Sequence, residues 1–208
     1  TLVKIVAITK THPATTIVEA NQAGLTIIGE NRIQEAERKF AEIPETIPKI
    51  TKRLIGHLQS NKIKKALRLF DTIDSVDSLR LATKIGAAAL EQTKRLPILL
   101  EVNTSGEESK FGFNPQNIDD MLACDEIPGI ELKGLMTIGP LTSNEKLIRQ
   151  AFISLRKLHN KIKRQLASNA EKFTELSMGM SSDFEVAVEE GSTLVRLGTV
   201  LFGRRKVI

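Results

Sequence analysis

Leu2-Val3-Lys4-Ile5-Val6-Ala7-Ile8-Thr9 is a strand-length run rich in β-branched residues, and the fold turns on how the chain continues from it. Lys10-Thr11-His12 interrupts the run, and Pro13 is placed for a first helical turn. Residues 13–23 then carry apolar positions at helical spacing until Gly24 stops them. At 26–29 a second short apolar run begins. The same unit recurs to the end of the chain. Strands are predicted at 2–9, 26–29, 53–57, 72–76, 98–103, 132–138, 175–178 and 194–198. Helices are predicted at 13–23, 32–41, 61–70, 78–92, 114–123, 145–168 and 183–189. Asn114-Pro115 is expected to open the fifth helix, Ser182-Asp183-Phe184-Glu185 to form a capping box, and Gly191 to follow the last helix. The stretch 43–50, with Pro44 and Pro48, is predicted as a loop. Strand–helix repetition with short connections implies an α/β fold with a parallel sheet. Eight such strands with right-handed crossovers predict one closed (β/α)₈ TIM barrel over residues 1–208, with no linker dividing it.

Composition narrows the class. The 208 residues are 41% hydrophobic and 26% charged, an ordinary globular balance with no apolar run long enough for a bilayer. A net charge of +5 raises the question of nucleic acid. The basic groups at 62–68 and 157–164, however, alternate with apolar residues at helical spacing and are expected to be solvated helix faces. Aromatic residues are 4% of the chain, all phenylalanine, so no stacking platform for single strands is evident. Cys124 is the lone cysteine, expected to be buried and inert, and its isolation suits a reducing compartment, the cytoplasm. No metal-ligand cluster is expected. The chain opens on Thr1 without an initiator Met or a secretory signal, which suggests an upstream segment.

In a parallel barrel the chemistry gathers where strands end at their carboxyl side. Those positions hold Lys10, Glu30 and Asn31, His57, Ser75, Asn103, Thr137, Met180 and Ser181, and Gly198 and Thr199. Lys10 shares strand parity with Val6 and Ile8. It is either an ordinary surface lysine or an inward amine whose pKa burial lowers, suited to attack on an aldehyde. Ser181 and the backbone after it, with the small-residue turn at Gly198-Thr199, offer donors for a phosphate. Simple turn chemistry is the alternative. Arg196 lies inside an apolar strand with the parity of Gly198 and needs a partner, either a structural carboxylate or a ligand atom. His12 and His159 are expected to be solvated, and Lys110 exposed.

These same residues resemble the motifs of the pyridoxal-phosphate homeostasis protein family. The resemblance runs through Ile5-Val6-Ala7-Ile8-Thr9-Lys10-Thr11-His12-Pro13, Gly29-Glu30-Asn31-Arg32-Ile33-Gln34-Glu35 and Ile55-Gly56-His57-Leu58-Gln59-Ser60-Asn61-Lys62. It continues through Asn103 to Phe113, Gly134-Leu135-Met136, and the stretches 176–183 and 191–203. It implies a barrel similar to the alanine racemase N-terminal domain, binding pyridoxal 5′-phosphate as a Schiff base on Lys10. Ser181, Gly198 and Thr199 would hold the phosphate, with Asn31 beside the cofactor and Arg196 against the ring nitrogen. His57 and Met180 complete the cofactor-facing set. The family is regarded as a cofactor carrier linked to amino-acid and keto-acid balance, without established catalysis, and as monomeric. Apoenzymes that accept the cofactor are its possible partners.

Two features depart from the family pattern. A helix before the first strand is missing, and Lys52-Arg53 replaces Trp-His, a change expected to alter the barrel mouth. An amino-acid racemase is the enzyme alternative. Alanine racemases, however, use a tyrosine as the second base, and this sequence has none and ends soon after the eighth strand. His57 would have to substitute. A nucleic-acid-binding module is the remote third reading, resting on net charge alone.

Overall fold

The structure is a computed structural model that describes residues 2–107, 111–166 and 169–203; the expectation for Lys110 therefore lies outside the described residues. Among these, eight strands form a closed barrel: β1 (Lys4–Ile8), β2 (Ile27–Glu30), β3 (Thr51–Leu54), β4 (Thr72–Val76), β5 (Leu96–Glu101), β6 (Ile130–Met136), β7 (Glu175–Met180) and β8 (Leu194–Leu197). Every neighbouring pair is parallel, and β8 closes on β1 with Lys4 opposite Leu194 and Val6 opposite Arg196. The helices are α1 (Ala14–Gln22), α2 (Ile33–Ala41), α3 (Ile63–Leu69), α4 (Leu79–Glu91), α5 (Ile118–Ala123), α6 (Glu145–Gln165), α7 (Phe184–Glu189) and α8 (Thr199–Phe202). No helix among the described residues is long and apolar enough to cross a membrane.

Period-two alternation sorts the strand residues between two cores. Val6 and Ile8 pack with Leu99, Met136 and Leu194, residues of β5, β6 and β8 that meet only inside the barrel. Ala7 and Ile28 face outward onto Ile17 of α1, and Leu54, Ile73, Ile98 and Leu135 face the helix layer on the other side. Gly29 points inward; a Cβ there would come 2.7 Å from Ile8 Cδ1 and 3.1 Å from Val6 Cγ1. The absent side chain is what lets β1 fill that part of the interior.

The lower interior is ionic. Arg53 Nε donates to Asp74 Oδ2 at 2.7 Å, Nη2 to Glu175 Oε2 at 2.5 Å, and Thr72 Oγ1 to Asp74 Oδ1 at 3.0 Å. Burial works to lower the Arg53 pKa, but Asp74 and then Glu175 raise it above its ordinary value. Glu175 and Thr72 each open a strand, so Arg53 faces the amino-terminal end of the barrel rather than its mouth. Lys52 lies outside, its ammonium 4.8 Å from the centre of the Phe40 ring.

Three expectations are corrected. The third strand runs from Thr51 to Leu54, not 53–57. Its ladder ends with Ile55 N–H on Glu30 O, and Gly56 then passes so close to Asn31 that a Cβ would lie 2.3 Å from its carbonyl oxygen. His57 is thereby carried into a loop. The fifth helix begins at Ile118 instead of 114, because Asn114 Oδ1 accepts from Gln116 N–H and its carbonyl from Asn117 N–H, a turn that competes with the helix. His159 is buried, not solvated: it shares a face of α6 with Leu155, Leu158 and Ile162 and stacks on Phe173 at 4.5 Å. Burial lowers its pKa to about 4.

The expectations for the basic helix faces and for Cys124 hold. Lys64, Arg68, Lys157, Lys161 and Arg164 are exposed. Cys124 is buried, and burial pushes its thiol up to about 12.

Candidate functional site

β1 ends at Ile8, and the next four residues make a turn. His12 N–H bonds Thr9 O at 3.0 Å, and Thr11 takes φ +68°, a left-handed conformation that non-glycine residues seldom adopt. Lys10 sits inside that turn, past a strand whose Val6 and Ile8 fill the barrel, and it lines a cavity of about 420 Å³ at the carboxyl ends of the strands. That volume falls in the roughly 300–1,000 Å³ range of small-molecule sites. Ile8 and Ile55 give the cavity apolar wall; Met180, Ser181, Arg196, Gly198 and Thr199 complete the set brought together with Lys10.

The far wall is built by two strand ends. β7 runs out through Gly179 at φ +93°, where a Cβ would lie 2.5 Å from Ala187 Cβ, so only glycine lets the chain turn this sharply into α7. The expected capping box does not form. Asp183 Oδ1 instead accepts Met180 N–H at 2.6 Å, tying the turn back on itself, and α7 has no side-chain cap. Ser181 is thereby held beside the end of β8. Its hydroxyl oxygen accepts the N–H groups of Gly198 at 3.2 Å and Val200 at 3.3 Å. With both contacts made to the oxygen, the hydroxyl proton is available to point outward. A hydroxyl fixed by two N–H groups, with its proton free to point outward, suits an oxyanion as a donor.

Arg196 is buried beneath this wall. Nη1 donates to Ser177 Oγ at 2.8 Å and Nη2 to the Thr137 carbonyl at 2.7 Å. These are neutral acceptors, and among the described residues no carboxylate bonds it directly. Burial pushes its pKa down from the ordinary value, against the more distant Asp74, Glu101 and Asp183. Two of five guanidinium N–H groups are used in these bonds, which leaves donors for a ligand acceptor.

The remaining expected residues fall elsewhere. His57 is half-exposed outside this cavity, with Nδ1 3.1 Å from Asp77 Oδ2 and its ring stacked on Phe111 at 4.1 Å. Asn31 does not line the cavity either, but its Oδ1 is buried without a hydrogen-bond partner among the described residues. Ser75 Oγ donates to Gly56 O and Thr137 Oγ1 to Val102 O, both fixing strand ends. Asn103 organises its own loop through Ser105 and Gly106. His12, expected in solvent, lines the cavity and meets the Phe202 ring at 5.4 Å. The short α8, which brings Phe202 there, has no signal long enough to read from periodicity.

Two groups escaped the sequence reading. Lys39 of α2 is fully buried and paired with Glu30, although a lysine in an otherwise charged helix suggests a surface position. Glu101, at the end of β5, is a carboxyl whose pKa burial raises to about 7, with Arg196 opposing and Asp77 adding to the shift. No group of three or more His, Cys, Asp or Glu suited to a metal ion occurs among the described residues.

A lysine, a serine held in a tight turn and a buried arginine share one cavity of a closed (β/α)₈ barrel. The chain belongs to the alanine racemase N-terminal domain family, whose model matches residues 2–206, and within it to the pyridoxal phosphate homeostasis proteins. The protein of that name from Aquifex aeolicus is 39% identical over 204 residues, covering 98% of this chain and 87% of its own. The human protein of the same name is 37% identical, covering 97% and 76%. The structure of PipY from Synechococcus elongatus with PLP bound superimposes with a TM-score of 0.88 at 38% identity, covering 97% of this chain and 92% of PipY. An alanine racemase of Clostridium difficile, at 15% identity and a TM-score of 0.78, shows the shared barrel fold.

Proposed function

We propose that this chain, as one domain, binds pyridoxal 5′-phosphate in the cavity at the barrel mouth and serves in cofactor homeostasis and amino-acid/keto-acid balance. The observation that carries this reading is the placement of Lys10, the Ser181 cradle and Arg196 on one cavity of suitable size. The residues fit the group: a hydroxyl fixed by two N–H groups and able to donate its proton suits a phosphate, and a guanidinium with unused donors suits a ring nitrogen. When bound, the cofactor supplies an aldehyde that an amine can capture and a ring that can accept electrons. Lys10 is the amine that holds it as a Schiff base. Ser181 with Gly198 and Thr199 holds the phosphate, Met180 flanks it, and Asn31 offers its unpartnered Oδ1 from the neighbouring strand end. His57, paired with Asp77 outside the cavity, would reach the cofactor only if its loop moved. Arg196 opposes protonation of the ring nitrogen, since a fixed cation disfavours a second charge beside it.

A ring kept neutral is a weak electron sink, which favours holding the cofactor over turning over a substrate. These 208 residues contain no tyrosine, the second base of the racemases. Relatives named for homeostasis support the same reading. We place the protein in the cytoplasm as a monomer, with apoenzymes that take up the cofactor as its partners.

Equilibrium binding tests this. Pyridoxal 5′-phosphate should bind far more tightly than pyridoxal, and Ser181→Ala should weaken it by at least about tenfold, the worth of a hydrogen bond to a charged group. Equal affinity for pyridoxal would remove the phosphate assignment. Incubation with single enantiomers of amino acids separates carrier from racemase, and sustained racemization would contradict the carrier reading.

A further inference from the structure

Behind the cavity a second lysine grips the backbone that carries the first. Lys39 of α2 is 1% exposed. Its ammonium pairs with Glu30 and donates to the Thr9 carbonyl at 2.7 Å, and it lies 3.1 Å from Glu35 Oε1. Glu35 Oε1 in turn accepts the Thr11 N–H at 2.5 Å. Thr9 Oγ1 donates to Glu30 Oε1 at 2.6 Å. The peptide groups on either side of Lys10 are therefore held by side chains of opposite charge, one turn apart on one helix.

We propose that Lys39 and Glu35, braced by Glu30, are positioning residues for Lys10, setting the turn from which its amine reaches the aldehyde. The proposal rests on Lys10 being the covalent anchor. Docking α2 on the barrel does not explain the arrangement. Lys39 occupies the buried stripe of α2 with Ile33 and Ala36, where an apolar side chain would pack the helix without the desolvation cost of an ammonium. The Glu35 carboxylate, 17% exposed, bonds the turn itself through the Thr11 amide. What the two bonds do is hold the Thr9 carbonyl and the Thr11 amide, and with them the left-handed Thr11 at φ +68°. In the reaction they serve, the Lys10 amine adds to the aldehyde carbon and one water leaves as the C=N bond forms, with no oxidation.

The test uses the full chain and two probes. Pyridoxal 5′-phosphate reports C=N bond formation by its visible absorbance in stopped flow. Pyridoxine 5′-phosphate carries the same phosphate and ring but no aldehyde, so it reports binding alone. At saturating cofactor, Glu35→Ala and Lys39→Met should slow bond formation by about 10- to 100-fold, the cost of misplacing a reacting group. Pyridoxine 5′-phosphate affinity should stay unchanged. Glu35→Gln, which keeps an acceptor for Thr11, should retain the rate. If Lys39→Met does not fold, the Glu35 pair decides alone. An unchanged rate in Glu35→Ala, or a rate and a pyridoxine 5′-phosphate affinity that fall together, overturns the positioning role. Bond formation at the wild-type rate in Lys10→Ala overturns the anchor assignment and this proposal with it, an outcome distinct from the other two.

Discussion

Replacing Arg53 by Met keeps a long side chain on the barrel axis and removes its charge. Asp74 is fully buried and would keep only its Thr72 contact, whereas Glu175 is one-fifth exposed and can turn to water. The loss therefore falls on one stranded carboxylate. Removing one partner of a buried ion pair costs about 3–5 kcal/mol, and with Glu175 relieved by solvent the lower end, about 3 kcal/mol, is expected at neutral pH. The added Asp74→Asn substitution removes the stranded charge while keeping an acceptor for Thr72, and should restore at least about half of that loss. Urea unfolding of the parent and the two variants, with midpoints compared at constant slope, gives both numbers. A cost below about 1 kcal/mol for Arg53→Met, or no recovery in the double variant, would refute the idea that an uncompensated Asp74 charge is what Arg53 prevents.

The same physics sets other outcomes. Glu101, held at about 7 mainly by burial, keeps a proton that the unfolded chain releases between pH 4.5 and 7, so stability should fall as pH rises through that window, by at most about 3 kcal/mol. Glu101→Gln should flatten that slope in urea midpoints, and an undiminished slope would clear Glu101 of it. His159, held at about 4 by burial, acts in the opposite sense: stability present above pH 6.5 is lost as pH falls toward 4. His159→Leu should remove this loss, and acid unfolding with the same profile as the parent would speak against it. Gly24→Ala, at φ +90° with nothing within 4 Å of the new Cβ, should cost only the left-handed strain of about 1–2 kcal/mol. Gly179→Ala adds a collision with Ala187 and should cost measurably more in thermal unfolding; equal costs would deny the close approach.

The barrel was legible because period-two strands and helical stretches each bury one face, and those patterns are local. Val6 and Ile8 against Ala7 is such a pattern; Lys10 lies in the turn beyond it and lines the cavity with Ile8. What failed was decided by contacts between distant segments. The end of β3 depends on Gly56 passing Asn31, so His57 was carried off the expected strand. His159 sits at helical spacing from Leu155 and Ile162, but its charged neighbours hid that it completes the apolar stripe. Lys39 has no local signal, because its partner Glu30 lies at the end of another element. At the site, the small residues of the Ser181 and Gly198 turns were visible in sequence. The bonds that aim them, from Asp183 to Met180 and from Gly198 and Val200 to Ser181, were not.

The most direct measurement is to load the purified protein with pyridoxal 5′-phosphate, reduce it with borohydride, digest it and locate the modified residue by mass spectrometry. Lys10 is expected to carry the label, with the visible absorbance band lost on reduction and both absent from Lys10→Ala. A label on any other lysine in its place, or a Lys10→Ala protein that still forms the reducible adduct, would contradict the assignment of Lys10 as the anchor.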